Sequence, residues 1–131
     1  MLDLSLYFHK IGNMKSSEVV RSLGALAQES RLAIYRLLVK RGPQGYTPGD
    51  LVVKLGLPAP TLSFHLKQLQ HTGLLTARRE GRFLFYSASI PHMNRLVGFL
   101  TDHCCSLADD GCSTDCGQPS VESAPARRKR A

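Results

Sequence analysis

Residues 47–73 place the tightest constraint on the fold, because two helix patterns follow each other there across a short turn. Thr47 can cap a helix that starts with Pro48, which predicts a short helix over 48–55. A glycine and a proline then make a tight turn. A second helix is predicted over 59–71, since leucines recur on one face: Leu62, Leu66 and Leu69. Two helices at this spacing are typical of a helix-turn-helix.

A β-hairpin is predicted directly after these two helices. Two short strand-like runs, 74–79 and 82–87, lie on either side of Glu80 and Gly81. A hairpin in this position is a wing. The sequence therefore predicts a mainly α fold with a β-hairpin wing, the winged helix-turn-helix.

Further helices are predicted on both sides of this motif. Ser16 or Ser17 can cap a first helix, a second is predicted over 29–40, and a last helix from Pro91 to about Cys105. The last helix has an apolar stripe with no obvious partner in so small a chain: Met93, Leu96, Val97 and Leu100. We expect this stripe to pack against a second copy of the chain.

The 131 residues are enough for one domain. We expect an N-terminal extension over 1–13, with Met14 as a second possible start, and a DNA-binding and dimerisation domain over 14–105. Residues 106–131 are predicted to form a cysteine-containing loop and a disordered basic tail. No window approaches 18 uncharged apolar residues and the N-terminus does not resemble a secretory signal. The expectation is a cytoplasmic protein with no membrane partner.

The formal charge of +7 favours a polyanionic partner, although the tail Arg127-Arg128-Lys129-Arg130 carries a large part of it. A basic body on a small chain is typical of nucleic-acid binding. The sequence has no carboxylate pair, activated nucleophile or phosphate loop on rigid elements. It therefore predicts no enzyme and no organic cofactor.

The candidate DNA contacts lie on the second helix of the motif and on the wing. The helix face opposite the leucines carries Thr61, Ser63, Phe64, Lys67 and Gln68, and the hairpin carries Arg78, Arg79 and Arg82. Serine and threonine can bond base edges, lysine and arginine suit phosphates, and an exposed phenyl ring suits a thymine methyl group. The alternative is an ordinary solvated helix face and a charged hairpin. His65 is predicted to face the core.

Four stretches together carry a resemblance to a known family: Ala25-Leu26-Ala27-Gln28-Glu29-Ser30-Arg31-Leu32, Ser63-Phe64-His65-Leu66-Lys67-Gln68-Leu69, Gly73-Leu74-Leu75, and the run from Arg78 to Tyr86. They resemble the ArsR/SmtB family of metal-responsive and arsenic-responsive repressors. The resemblance covers roughly residues 16–105. It implies a homodimer through the first and last helices that binds a palindromic operator in double-stranded DNA and leaves it when an inducer ion binds.

Two departures from the family pattern matter. The recognition helix often starts with a polar pair such as Ser-Gln, and here Pro58 and Ala59 stand there, which removes a cap and a base contact. Many arsenic-responsive members also carry a Cys-x-Cys pair in the preceding helix, and residues 46–52 contain no cysteine. The usual inducer site is therefore absent.

The four cysteines cluster late in the chain, at 104, 105, 112 and 116. Clustered thiols in a cytoplasmic chain favour soft-ion binding or redox sensing. Three thiolates suit trivalent arsenic (arsenite) or antimony, and some family members are similar in having a vicinal pair and a third cysteine after the last helix. We expect Cys104, Cys105 and Cys112 to bind the inducer, with Cys116 as a spare.

Several alternatives remain open at this stage. The four sulfurs could hold tetrahedral zinc, as in a zinc- or cadmium-sensing repressor, although His92, Asp102 and His103 are not spaced like the ligands of zinc-sensing relatives. A thiol redox switch could pair Cys112 with Cys116, or Cys105 with Cys112. A constitutive architectural DNA-binding protein is the alternative from another class.

Overall fold

The computed structural model describes residues 14–107, and five helices and one hairpin lie within that range. The helices are α1 (Ser16–Leu26), α2 (Glu29–Arg41), α3 (Pro48–Leu55), α4 (Ala59–His71) and α5 (Ile90–Thr101). The strands β1 (Leu75–Glu80) and β2 (Phe83–Ala88) pair antiparallel between α4 and α5. This is the winged helix-turn-helix that the sequence predicts. Every helix in the described range is too short or too polar to cross a bilayer.

The helix-turn-helix starts and ends as the sequence predicts. Thr47 and Asp50 form a capping box, in which each side chain accepts a hydrogen bond from the other's backbone N–H, and both bonds are 3.1 Å long. Gly56 closes α3 in the left-handed conformation, with φ +70°. Pro58 precedes α4 and has no polar side chain to offer as a cap.

The main core lies between α2, α3, α4 and the hairpin. Its fully buried side chains come from α2, α3, α4 and the residue directly before β1: Ile34, Leu38, Leu51, Leu62, Leu69 and Leu74. The three leucines predicted to form the inner face of α4 are all buried there. This packing fixes the rotation of α4, so that its opposite face points to solvent.

A second, smaller cluster joins the start of the described chain to α5. It consists of Met14, Val19 and Leu96, with Met93 and Phe99 packed against it. The prediction that Leu96 and Met93 pack against a second copy of the chain is therefore wrong, because Leu96 is 2% exposed within a single chain and Met93 packs against the same cluster. Met14, predicted from the sequence only as a possible second start, packs its side chain into this cluster. Val97 and Leu100 of the same stripe are exposed.

Two predicted helix ends also differ from the structure. The cap of α1 is Lys15, and Ser16 and Ser17 are the first helical residues. The last helix ends at Thr101 rather than near Cys105, because a turn follows in which His103 and Cys105 have φ of +60° and +64°. Side chains rarely accept this left-handed conformation, so it ends the helix.

Candidate nucleic-acid interface

The recognition helix presents a continuous exposed face. All five residues predicted to contact DNA on α4 are exposed: Thr61, Ser63, Phe64, Lys67 and Gln68. Phe64 has 56% of its surface accessible, and its ring lies against the neighbouring His65 ring at a centroid distance of 5.8 Å. Hydroxyl, aromatic, ammonium and amide groups on one helix face can contact base edges, methyl groups and phosphates.

On the buried side of α4, Arg31 of α2 joins His65 to the last turn of α1. His65 is buried, as predicted, and its Nδ1 lies 3.3 Å from Nη1 of Arg31. The Arg31 Nε donates to the carbonyl oxygen of Ala25 at 2.6 Å. Arginine can only donate, so Nδ1 of His65 is the acceptor and the ring is neutral. Burial, and then the nearby Arg31 charge, lower the pKa of His65, which agrees with a neutral ring.

A second polar contact joins α1 to α5, and the sequence did not predict it. The Oγ of Ser22 lies 2.9 Å from Nε2 of His92, and both side chains are buried. Burial and the Arg95 charge lower the pKa of His92, and Glu18 opposes them in part. The His92 ring also lies against the backbone of Gly73, just beyond the end of α4. Helix α5 therefore touches both α1 and the end of the recognition helix through one side chain.

The hairpin carries the three predicted arginines, but it uses them differently. Arg79 and Arg82 are exposed, and within residues 14–107 neither side chain makes a hydrogen bond or an ion pair. They lie on either side of the turn at Gly81, whose φ is +64°. The guanidinium of Arg78 instead bonds to Glu80 and to the loop after α2. The wing tip thus offers two uncommitted cations to an anionic partner.

The predicted inducer ligands lie only partly within the described residues. Cys104 and Cys105 occupy the turn after α5, with their sulfurs 3.5 Å apart, and neither is a free thiol. Adjacent residues on a helix point in different directions, whereas this turn brings the two sulfurs together. Cys112 and Cys116 lie outside the described residues. Within 14–107, no three histidine, cysteine, aspartate or glutamate side chains gather into a metal site.

A helix-turn-helix with one face packed in the core, an exposed recognition face and a basic hairpin tip define a winged helix-turn-helix DNA-binding protein. The sequence matches a family described as "Helix-turn-helix domain" over residues 26–78. It is 33% identical over 96 residues to the probable mercury resistance operon repressor of Streptomyces lividans, which is 73% of this chain and 72% of that protein. It is 35% identical over 80 residues to the nodulation protein NolR of Rhizobium meliloti, of which it covers 63%, and these residues are 61% of this chain.

Solved structures have the same fold. An ArsR-like transcriptional regulator from Rhodococcus sp. RHA1 has a TM-score of 0.59 and 26% identity, covering 64% of this chain and 76% of that one. The homodimeric winged helix-turn-helix domain of Mb0332 from Mycobacterium bovis, a possible ArsR-family regulator, has a TM-score of 0.52 and 28% identity, with 73% and 89% covered. The chain belongs to the ArsR/SmtB family. It is a transcriptional repressor of that family and not an enzyme.

Proposed function

We propose that this repressor binds operator DNA as a homodimer and is released by trivalent arsenic or antimony bound to its C-terminal cysteines. The observation that carries the inducer assignment is the 3.5 Å between the sulfurs of Cys104 and Cys105, directly after α5. Two thiolates on one tetrahedral zinc, each at about 2.3 Å, would lie about 3.8 Å apart. Once both cysteines are reduced to thiols, a separation of this size suits two ligands of one thiophilic ion.

The recognition helix enters the major groove in this proposal. Residues near the N-terminus of such a helix reach base edges, which assigns base contacts to Thr61 and Ser63 and a thymine methyl group to Phe64. Lys67 and Gln68 lie further along the same exposed face and suit phosphates. The wing arginines Arg79 and Arg82 complete the footprint.

A homodimer through α1 and α5 is part of the proposal. A palindromic operator needs two recognition helices about one DNA turn apart, roughly 34 Å. Exposed apolar side chains on both helices support this interface: Val20 and Leu23 on α1, and Val97 and Leu100 on α5. The M. bovis relative with this fold is described as homodimeric. Each large apolar side chain that becomes buried contributes about 1.5–3 kcal/mol.

Release follows from the position of the cysteines. An ion held directly after α5 pulls on a helix of the dimer interface, and a small rotation changes the separation of the two recognition helices. A coupling free energy of about 1–3 kcal/mol is typical between two such sites. An operator has one fixed spacing of half-sites. A change in the separation of the recognition helices that costs this much free energy is therefore enough to weaken binding. A repressor acting on DNA in this way works in the cytoplasm.

The donor set favours a soft trivalent ion. Cys104, Cys105 and Cys112 supply three sulfurs, and sulfur selects thiophilic ions over hard cations. Trivalent arsenic in neutral water is largely an uncharged hydroxide, and three thiolates that replace three hydroxyls leave the complex neutral. The nearby carboxylates, such as Asp102, therefore do not oppose it. A zinc- or cadmium-sensing repressor is the alternative, and it would use Cys116 as a fourth ligand.

A thiol redox-responsive regulator is a second candidate, which one observation favours. Neither Cys104 nor Cys105 is a free thiol in the structure, and a sulfur that is already in a disulfide does not ligate an ion. The inducer site therefore exists in the reduced chain, and oxidation of the same sulfurs could itself relieve repression. The two candidates differ in whether a reductant prevents release.

The wing assignment predicts which substitutions weaken DNA binding. Arg79→Ala or Arg82→Ala should weaken binding to every sequence and lower the salt dependence of log K by about one phosphate contact each. Phe64→Ala should instead reduce the preference for the operator over an unrelated duplex. Gel shifts at several salt concentrations measure both quantities. Unchanged affinity in both arginine variants would place the wing away from DNA.

The inducer assignment predicts a graded cysteine series, measured by gel shift in the presence of reductant. Cys104→Ser, Cys105→Ser and Cys112→Ser should each keep operator binding and lose release by arsenite or antimonite, because each removes one of three ligands. Cys116→Ser is the matched control and should respond nearly as the parent does. If Cys116→Ser is equally damaging and zinc releases DNA at lower concentration than arsenite, the zinc alternative is correct.

Two further outcomes separate the remaining readings. Release by an oxidant, reversed by reductant and lost in the same serine variants, would favour the redox candidate. A chain truncated after Leu100 should bind the operator and ignore arsenite. Release of that truncated chain by arsenite would place the inducer site elsewhere.

A further inference from the structure

We infer that Arg78 is a positioning residue of the wing, which fixes the hairpin against the body of the domain so that Arg79 and Arg82 can reach DNA. This inference rests on the proposed contact of the wing with DNA. It replaces the sequence-based assignment of Arg78 as a phosphate ligand.

The guanidinium of Arg78 has partners on two separate parts of the chain. Its Nε donates to Oε2 of Glu80 at 2.7 Å, two residues along β1. Its Nη1 and Nη2 donate to the carbonyl oxygens of Pro43 and Gln44, both at 3.1 Å. Its Cζ lies 4.9 Å from the centroid of the Phe85 ring, on the strand opposite. The planar fork of arginine can serve several acceptors at once.

The loop that receives these bonds is itself joined to the hairpin by backbone. Tyr46 and Tyr86 exchange two backbone hydrogen bonds, of 3.0 and 2.9 Å. Gly45 has φ +75°, and a Cβ there would collide with the Tyr86 carbonyl. The base of the hairpin is thus in close contact with the loop, and Arg78 makes the next attachment toward the tip.

The position of Arg78 along the hairpin separates an anchored part from an exposed part. In the strand register Arg78 lies opposite Phe85, and Arg79, opposite Leu84, is one step closer to the turn. Beyond Arg78 lie the two exposed arginines, Arg79 and Arg82, whose side chains make no hydrogen bond or ion pair in the described part of the chain. Three of the five guanidinium N–H groups of Arg78 already donate to two carbonyl oxygens and a carboxylate, which leaves at most two for a phosphate.

An anchored hairpin lowers the cost of binding. A loose wing would lose conformational freedom when it meets DNA, and that loss subtracts from affinity. With Arg78 in place, the wing arginines are already held near one arrangement. Arg78 therefore acts through Arg79 and Arg82, and its contribution should vanish when both are absent.

The test is a double-mutant cycle on the full chain, with reductant, using a duplex from the promoter of the chain's own gene. Arg78→Ala should weaken binding about tenfold in the parent at physiological salt. In the Arg79→Ala/Arg82→Ala background it should have almost no further effect, since coupled residues are not additive. Arg36→Ala removes the same charge from the exposed side of α2 and is the matched control, with parental affinity expected.

A conservative variant shows whether the planar guanidinium group of Arg78 or only its positive charge is needed. Arg78→Lys should recover little affinity, because an ammonium cannot serve two carbonyl oxygens and Glu80 in one plane. Amide exchange in the free protein should also become faster at Tyr46 and Tyr86 in Arg78→Ala, and stay parental in Arg79→Ala. A charge that only met phosphate would leave these amides unchanged.

The outcomes separate this inference from the proposal beneath it. If Arg78→Ala weakens binding equally in both backgrounds and Arg78→Lys restores it, Arg78 contacts DNA directly and the positioning role is wrong while the wing contact stands. If Arg79→Ala and Arg82→Ala have no effect on affinity, the wing contact itself is wrong, and the positioning role for DNA binding falls with it.

Discussion

Gly73→Ala is expected to lower the free energy of unfolding by about 3 kcal/mol. Gly73 has φ +93°, where a side chain costs about 1–2 kcal/mol. A Cβ would also lie 2.9 Å from two atoms of the His92 ring. Overpacking of this kind adds about 1–3 kcal/mol, because the ring is held by Ser22 and cannot simply move aside. Urea denaturation measures the change as a lower midpoint at an unchanged m-value.

Gly81→Ala is the matched control for this prediction. Its φ of +64° is also left-handed, but a Cβ there meets open space. It should cost only the conformational part, about 1–2 kcal/mol. Adding His92→Ala to Gly73→Ala should cost less than the sum of the two single changes, since the ring contact is then gone. Equal losses in Gly73→Ala and Gly81→Ala would mean that the His92 contact is not tight.

The helix-turn-helix could be predicted almost residue by residue because its boundaries have local causes. Thr47 and Pro48 set the start of α3, and Gly56 and Pro58 set the turn before α4. Each of these residues acts on its own backbone or on a neighbour within three residues. The leucine spacing of α4 likewise fixes which face is buried. Exposure of the predicted DNA-contacting residues follows directly from that spacing.

The contacts that hold the interface in place could not be predicted, because they join residues distant in sequence. Arg31 and His65 are 34 residues apart, Arg78 and Pro43 are 35 apart, and Ser22 and His92 are 70 apart. Periodicity describes a single element and carries no information about such pairs. From the sequence, Arg78 shares only its charge and its place on the hairpin with the other wing arginines. The structure separates them by their hydrogen bonds.

The end of α5 shows a different limit. Glycine and proline, the usual signals of a helix end, are both missing between Thr101 and Cys105. Two non-glycine residues, His103 and Cys105, take the left-handed conformation instead. The sulfurs of Cys104 and Cys105 nevertheless lie 3.5 Å apart, because the turn brings together two adjacent side chains that would point in different directions on a helix. Their third predicted partner, Cys112, lies outside the described residues.

Val20→Asp is expected to convert the proposed dimer into folded monomers and to reduce operator affinity at least about hundredfold. Val20 has 67% of its surface accessible in the single chain, and Leu23, one turn along the same face of α1, is also exposed. A carboxylate costs almost nothing there in the monomer, but it would have to be buried in an apolar interface. A monomer holds only one half-site, so most of the specific affinity is lost.

Neighbouring positions on α1 give the contrast that identifies the interface. Val19 is buried in the cluster with Met14 and Leu96, so Val19→Asp should unfold the chain instead of dissociating it. Leu32→Asp places the same charge on an exposed apolar position of α2 and should leave the dimer intact. Sedimentation over a range of concentrations, with circular dichroism to check folding, separates the three results. A dimer that persists in Val20→Asp would exclude this face of α1 from the interface.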